Sequence, residues 1–312
     1  MNKKSIYQTI IIGAGPAGCA AAVYCARKKI KTLLITESFG GQSVVSSEIE
    51  NWLGEIKISG EQLAKKLEQH VRSQKDIDIV TSELVKEIEK ENKFFKVVTN
   101  KNKIFQTQTI IIASGGHHRP LKVPGEKEFN GKGVSYCSTC DAPFFKNKDV
   151  VVVGTGNSGL GAVLDLIPYA KKIYVMDILD KIQGDQILQD KIKRTNKQIK
   201  YLLLSKVKEI IGDKFIKAIR YQDKNNNIKT LELQGVFVEI GMLPNSGFVK
   251  NLVELDKWLQ IKVDQQTKAT SQPGIFAAGD VTNLLFRQNN IAAGDGVIAA
   301  LSVYDFLMKD KR

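Results

Sequence analysis

The fold is decided by the stretch TIIIGAGPAG, residues 9–18. An apolar strand pattern leads into Gly-x-Gly-x-x-Gly, an alanine-rich segment continues to Arg27, and a second apolar run ends at Glu37. In this motif the first glycine makes a tight turn, the second lets the backbone approach a pyrophosphate, and the third lets a helix pack closely on a strand. The stretch predicts a strand–turn–helix–strand unit that binds a dinucleotide, with Glu37 accepting hydrogen bonds from a ribose.

The same pattern recurs at VVVVGTGNSG, residues 150–159. A helical pattern follows and stops near Pro168, and the next apolar run, KIYVMD, ends at Asp177. Each copy also has a later apolar run that ends in glycine, at residues 109–116 and 235–241, as expected for central strands of a parallel sheet. Two complete copies predict two nucleotide-binding units in one chain.

The predicted fold class is therefore α/β, with two Rossmann-like dinucleotide-binding domains and the second inserted into the first. The Pro- and Gly-containing stretch HHRPLKVPGE, residues 117–126, indicates a crossover, and Pro244 marks the return. We expect residues 1–118 and 246–312 to form the first dinucleotide-binding domain. Residues 119–245 then form the second domain.

Composition limits the other classes of function. The 312-residue chain has a net charge of +13, but its lysines are scattered, so we expect an acidic protein partner and no nucleic acid. The segment Thr9–Ala26 follows a basic start as a signal peptide would, yet Gly13, Gly15 and Pro16 interrupt it. No other run approaches a membrane span, so we expect a cytoplasmic protein and no membrane partner.

The four cysteines divide into two kinds. Cys19 and Cys25 lie in the alanine-rich helical segment and are predicted to be buried apolar side chains. Cys137 and Cys140 form a single Cys-x-x-Cys pair with no further ligands nearby, which predicts redox chemistry and no metal site. The adjacent His117 and His118 are predicted to be linker residues without a ligand role.

Taken together, the sequence resembles the low-molecular-weight thioredoxin reductases. It is most similar to the reductase portion of the flavoprotein subunit of alkyl hydroperoxide reductase. The resemblance rests on IIGAGPAG, FGGQ, EIENWLG, IIIASG, VSYCSTCDAPFFKNK, GTGNSG, GDQILQDK, GVFVEIGMLPN, GIFAAGD and RQNNIAAGDG, in that order along the chain. It implies FAD in the first unit, a nicotinamide cofactor in the second and a homodimer. The alkyl hydroperoxide reductase flavoprotein has additional thioredoxin-like domains at its N-terminus. Because this sequence begins at the first strand, we expect its substrate to be a separate thioredoxin- or glutaredoxin-like disulfide protein.

The resemblance also implies the site residues. The FAD contacts are Gly13, Gly15, Pro16, Ala17, Glu37, Gly41, Gln42, Asn51, Ser114, Gly115, Gly279, Asp280, Arg287, Gln288 and Asn289. The nicotinamide contacts are Gly154, Gly156, Asn157, Ser158, Asp177 and Gly241. For the dithiol, the resemblance implies that Cys140 exchanges electrons with the flavin, Cys137 attacks the partner's disulfide and Asp141 donates and accepts protons.

The identity of the electron donor depends on the second unit. In NADPH-using relatives a basic cluster follows the strand that ends here at Asp177. In this sequence the carboxylate of Asp177 would repel a 2′-phosphate, so NADH is favoured. Gly161, where relatives have glutamate, and Pro168, which shortens the helix, depart from the family pattern. A ferredoxin-linked thioredoxin reductase and a flavin NADH oxidase therefore remain alternatives. A ferredoxin–NADP reductase lacks the dithiol, and a basic binding protein would be colourless.

Overall fold

The structure is a computed structural model that describes residues 6–46, 49–195 and 197–309. It divides into two compact units, one comprising Met1–His117 with Leu243–Arg312 and the other His118–Met242. Both units are α/β and each contains a mainly parallel sheet, so the predicted fold class of two Rossmann-like units is confirmed.

The helices and strands are numbered in chain order. The first segment of unit 1 contains β1 (Tyr7–Ala14), α1 (Pro16–Arg27), β2 (Thr32–Phe39), α2 (Gly60–Arg72), β3 (Ile77–Val80), β4 (Val85–Glu91), β5 (Phe94–Thr99), β6 (Ile104–Ile112) and β7 (Gly116–His118). Unit 2 contains β8 (Val134–Ser135), α3 (Ser138–Asp141), β9 (Asp149–Val153), α4 (Asn157–Leu166), β10 (Lys172–Met176), α5 (Gln186–Lys193), β11 (Ile199–Leu202), β12 (Lys206–Gly212), β13 (Ile216–Gln222), β14 (Ile228–Glu232) and β15 (Gly235–Val238). The chain returns through β16 (Met242–Pro244) to β17 (Ile275–Ala277) and α6 (Asn289–Lys309).

The two sheets have corresponding strand orders. In unit 1 the strands run β3-β2-β1-β6, after which the two halves of β6 pair with β5 and with β17. In unit 2 the order is β11-β10-β9-β15-β8, and all of these pairs are parallel. Each sheet is accompanied by antiparallel strands, β4-β5 in unit 1 and β12-β13-β14 in unit 2. The sequence repeat is thus a repeat of topology.

Both faces of the central strands are buried. On β1, Ile11 belongs to the core cluster under α1 and α6, whereas its neighbours Ile10 and Ile12 belong to the cluster on the opposite face. On β9, Val151 and Val150 likewise belong to different clusters. Because successive side chains of a strand point to opposite faces, a strand that is covered on both sides is apolar at every position.

Helix α1 begins inside the glycine motif, at Pro16, and ends at Arg27, where the alanine-rich segment was expected to end. Gly15 caps it, Pro16 occupies its first position, where no amide donor is needed, and the alanines that follow keep it close to the sheet. Its Cys19 and Cys25 are fully buried, and burial raises the pKa of both thiols to about 12. They are therefore unreactive apolar side chains.

Helix α6 is long and apolar enough to span a membrane by length and composition alone. The expectation that no run other than Thr9–Ala26 approaches a membrane span was therefore wrong for α6. Part of the helix is buried in unit 1, since the core cluster on the α1 face includes Ala299, Ala300 and Val303 of α6. Close packing of the two helices requires Gly296, because a Cβ there would collide with the carbonyl oxygen of Ala17.

A buried ion pair connects α6 to the rest of unit 1. Lys268 Nζ lies 2.8 Å from Asp295 Oδ1, and only 4% and 7% of the two side chains are exposed. The second oxygen of Asp295 accepts a hydrogen bond from the amide of Gly279 at 3.3 Å. The pair therefore supports the turn at Gly279, which follows β17.

We predict that Lys268→Met destabilises the protein by about 3–5 kcal/mol, because Asp295 then remains as a buried charge without its partner. Urea unfolding followed by circular dichroism measures this change. The matched control is Lys217→Met, since Lys217 pairs with Asp213 on the surface, where 67% and 66% of the two side chains are exposed. This variant should unfold at nearly the wild-type urea concentration, and an equal loss in both variants would contradict the prediction.

Candidate functional site

The predicted FAD residues surround one cavity in unit 1 with a volume of about 660 Å³. Its size falls in the range of pockets that enclose a cofactor. All of the predicted FAD contacts except Asn51 line it: Gly13, Gly15, Pro16, Ala17, Glu37, Gly41, Gln42, Ser114, Gly115, Gly279, Asp280, Arg287, Gln288 and Asn289. Residues that are far apart in sequence thus converge on one site.

The three glycines of the first loop are needed for different reasons. Gly13 has a φ of +98°, and a Cβ on Gly18 would collide with the carbonyl oxygen of Gly13, so both are needed for the turn and for helix packing. Gly15 has ordinary backbone angles, and a Cβ there would meet only the Cα of Gly41, at 3.8 Å. Protein packing does not require glycine at position 15. A phosphate that approaches this backbone at the N-terminus of α1 would require it, so the loop fits a dinucleotide.

Arg287 and Asp280 both line the cavity. Arg287 Nη2 donates to the side-chain oxygen of Gln260, but its Nε is buried without a hydrogen-bond acceptor. Burial raises the pKa of Asp280. The positive charge of the Arg287 guanidinium lowers it by a smaller amount. A ligand with hydroxyl and carbonyl groups, such as the ribityl chain and ring of FAD, would satisfy both side chains.

Asn51 lies outside the cavity lining but next to it. Its amide nitrogen donates to Gln288 Oε1 at 3.2 Å, which makes it a support for a lining residue. Two other supports escaped sequence analysis. Ser43 Oγ donates to Asn289 Oδ1 at 3.0 Å, and Asn245 exchanges hydrogen bonds with the backbone and hydroxyl of Ser114. The pairing of Asn245 with Ser114 carries no motif that a single sequence could reveal.

The second glycine loop repeats the geometry of the first. Gly154 has a φ of +119°, a Cβ on Gly159 would collide with the carbonyl oxygen of Gly154, and a Cβ on Gly156 would meet no atom within 4 Å. Asn157 and Ser158 are exposed on the first turn of α4. The Asn157 side chain already has a partner, because its Nδ2 donates to Asp185 Oδ2 at 2.9 Å and its Oδ1 accepts from the amide of Asp185 at 2.8 Å. Gly241, with a φ of +100°, turns the chain after β15.

Asp177 lies at the end of β10, as predicted, but it already has partners. Its Oδ2 accepts from the amide and hydroxyl of Thr155, at 2.8 and 2.6 Å, and its Oδ1 accepts from the amide of Leu179 at 3.1 Å. Thr155 between the two glycines is the sequence signal for this contact. A carboxylate has about four acceptor positions, so one remains for a ribose hydroxyl.

Cys137 and Cys140 are joined by a disulfide, with their Cα atoms 5.3 Å apart. The single helical turn α3 carries Cys140 and Asp141. Ser135 Oγ donates to Asp141 Oδ2 at 2.6 Å, while Asp141 Oδ1 is buried without a partner. Burial raises the pKa of Asp141, which favours the protonated form of a carboxyl beside the disulfide.

Two further carboxyls near the disulfide were missed in the sequence. Asp165 Oδ2 on α4 accepts hydrogen bonds from the hydroxyls of Ser138 and Thr139, the two residues between the cysteines. Burial, reinforced by the negative charge of Asp165, raises the pKa of Glu239 to about 8. Asp165 lies inside an apolar helical pattern and Glu239 inside an apolar strand pattern, so only their polarity could have singled them out.

Comparison with known proteins accounts for this arrangement of two nucleotide loops and one disulfide. Residues 7–296 match the family described as pyridine nucleotide-disulphide oxidoreductase. The chain belongs to this family. The family consists of oxidoreductases that use FAD and a pyridine nucleotide, and the sequence-based resemblance is confirmed.

Several members of the pyridine nucleotide-disulphide oxidoreductase family are similar along the whole chain. The crystal structure of a thioredoxin reductase from Streptococcus pyogenes MGAS5005 is 35% identical with a TM-score of 0.90, covering 98% of this chain and 100% of that one. An NADH dehydrogenase from Bacillus subtilis is 38% identical over 98% of this chain. The F component of alkyl hydroperoxide reductase from Escherichia coli is 37% identical over 100% of this chain. This chain spans 60% of the length of each of these two curated relatives.

The glycine geometry yields a paired prediction for this family member. Gly15→Val should fold and yet retain less than about a tenth of the wild-type flavin, because its Cβ would meet no protein atom closer than 3.8 Å and its side chain would compete with the phosphate. Gly156→Val should remain yellow and lose reduction by the pyridine nucleotide. Flavin absorbance and anaerobic titration measure both effects. Each variant controls for the other, and a Gly15→Val protein with full flavin content would contradict the prediction.

A second prediction concerns Glu239. Its pKa is raised in the folded protein, so folding binds a proton and stability falls as pH rises from about 4.5 towards 8. Glu239→Gln should therefore be more stable than wild type at pH 9, on the order of 3 kcal/mol, and similar at pH 4.5. Urea unfolding at the two pH values tests this, with the exposed Glu232→Gln as control. A pH-independent difference would refute the assignment.

Proposed function

We propose that this protein is an FAD-dependent protein-disulfide reductase. Electrons pass from NADH, through FAD held by unit 1, to the Cys137–Cys140 pair and then to a thioredoxin- or glutaredoxin-like protein. The observation that carries this proposal is the closed disulfide beside the buried carboxyl of Asp141, in the same unit as the second nucleotide loop.

The residues of unit 1 fit FAD. The first loop, around Gly15, would hold the pyrophosphate and Glu37 the adenosine ribose, while Asp280 and Arg287 would bind the ribityl chain and ring. When bound, FAD supplies a carrier that accepts a hydride from a nicotinamide and releases two electrons to a disulfide.

The chemistry of the cysteines balances as two thiol–disulfide exchanges. Two electrons and two protons convert the Cys137–Cys140 disulfide into a dithiol. The Cys137 thiolate attacks the partner's disulfide, forming a mixed disulfide and releasing one partner thiol. Cys140 then attacks the mixed disulfide at Cys137, which restores the internal disulfide and releases the second thiol. In this proposal Asp141, whose protonated form is favoured by burial, donates and accepts protons in these steps.

Several features support NADH as the donor. Asp177 ends β10, and the residues after it are the exposed and apolar Ile178 and Leu179. Residues 175–180 contain no Lys or Arg. A 2′-phosphate would therefore meet the carboxylate of Asp177 without a cation from these residues, whereas a 2′-hydroxyl could donate to it. The Bacillus subtilis relative is named an NADH dehydrogenase. The alkyl hydroperoxide reductase relatives and the thioredoxin reductases support the disulfide partner.

The proposal includes a homodimer in the cytoplasm. The lone Cys-x-x-Cys pair suits a reducing compartment, where a disulfide exists as a transient catalytic state. The net charge of +13 suits an acidic partner protein, which it would attract over long range at low salt.

A second candidate function is NADH oxidation without a disulfide substrate, favoured by the name of the Bacillus subtilis relative. In that case oxygen consumption would persist in Cys137→Ser. A third alternative is a ferredoxin-linked reductase, which would use the dithiol but would not be reduced by a nicotinamide nucleotide. The open space at Gly156 supports nicotinamide binding over this alternative.

We predict that anaerobic NADH bleaches the flavin absorbance of the purified protein, whereas NADPH at the same concentration does so at least tenfold more slowly. In Cys137→Ser the flavin should still bleach, but reduction of a thioredoxin disulfide should fall by at least about a hundredfold, because the attacking thiolate is absent. Stopped-flow absorbance and a coupled insulin-reduction assay measure the two effects. Bleaching by neither nucleotide, with dithionite still effective, would exclude the nicotinamide donor. Full disulfide reduction by Cys137→Ser would exclude the dithiol mechanism.

A further inference from the structure

One carboxylate from a distant part of the sequence holds the loop between the two cysteines. Asp165 Oδ2 accepts from Ser138 Oγ at 2.8 Å and from Thr139 Oγ1 at 3.2 Å. Asp165 belongs to α4, the helix that begins at the second glycine loop. The redox turn is thereby attached to a firmly packed helix of unit 2, whose Leu160, Val163 and Leu166 are fully buried.

The turn has a second attachment on its other side. Ser135 Oγ donates to Asp141 Oδ2 at 2.6 Å and accepts from the amide of Cys137 at 3.1 Å. This contact is local, within six residues of chain. A single turn of helix such as α3 is not stable by itself, so its geometry depends on these side-chain contacts. Asp165 supplies the hydrogen bonds that hold the turn from outside it.

We infer that Asp165 is a positioning residue that sets the disulfide–dithiol equilibrium of the Cys137–Cys140 pair. By fixing both intervening residues, it holds the cysteines at the 5.3 Å Cα separation that a disulfide needs, so ring closure costs the dithiol less conformational entropy. Loss of the contact shifts the equilibrium towards the dithiol. The inference rests on the proposed redox role of this pair.

The equilibrium is measured by exchange with dithiothreitol. Oxidation of the Cys137–Cys140 dithiol transfers two electrons and two protons to oxidised dithiothreitol, which becomes the reduced form. The flavin-containing protein is equilibrated anaerobically in buffers of varied ratio and quenched with acid. It is then unfolded in denaturant at neutral pH, labelled with a maleimide and analysed by mass spectrometry. Cys19 and Cys25 are free and buried in the folded protein, and after unfolding they add the same two labels to every sample.

Asp165→Ala should lower the equilibrium constant for disulfide formation about tenfold, equivalent to a potential about 29.6 mV higher. Asp165→Asn should change it less than about threefold, because the amide oxygen still accepts from both hydroxyls. The matched control Asp190→Asn removes an exposed charge from α5 and should leave the constant unchanged. An Asp165→Ala value within twofold of wild type, or an equal shift in Asp165→Asn, would overturn the inference.

A double-mutant cycle tests the same contact from the other side and covers the case in which Asp165→Ala fails to fold. The variant Ser138→Ala with Thr139→Val should show the tenfold shift of Asp165→Ala, and combining all three changes should add nothing further. Additive shifts would overturn the inference. A wild-type pair that never exchanges with dithiothreitol would instead overturn the proposed function, so the two failures are distinguishable.

Discussion

The contact between the third glycine and the first glycine of each loop is the constraint on which both units depend. At Gly18 and at Gly159 there is no room for a Cβ against the carbonyl oxygen of the preceding turn. This close approach directs the helix N-terminus towards the space where a phosphate would lie and sets the helix flat on the sheet. The middle glycines, Gly15 and Gly156, then become free to serve a ligand. One steric requirement, used twice, generates the two sites.

Much of the fold could be predicted from the sequence because its signals are local. The runs TIIIG and VVVVG are apolar at every position, which indicates strands covered on both faces, and the glycine spacing defines the turn and helix that follow. The alanine-rich segment that ends at Arg27 is helix α1, as the pattern indicates, although the helix already begins at Pro16 within the glycine motif. The length and apolar character of α6 were overlooked because small residues and Asp295 interrupt its apolar pattern in the sequence.

The site was less predictable, because its supporting contacts join residues that are far apart in sequence. The glycines and Asp280 belong to motifs. Asn245, however, contacts Ser114 although the inserted unit separates the two in sequence, and Asp165 contacts the redox turn from another helix. A single sequence contains no pattern that pairs such residues. Even Asp177, whose position was predicted, has a conformation determined by Thr155 that spacing alone does not reveal.

The insertion of unit 2 has a consequence for the order of folding. His118–Met242 is continuous and includes all five strands of its sheet, so this segment can fold as soon as it leaves the ribosome. Unit 1 must wait, because β17 pairs with β6 and α6 packs on α1 only after the last part of the chain has been synthesised. Until then, the apolar faces of β6 and α1 remain uncovered. Nascent unit 1 is therefore the part of this protein most in need of a chaperone.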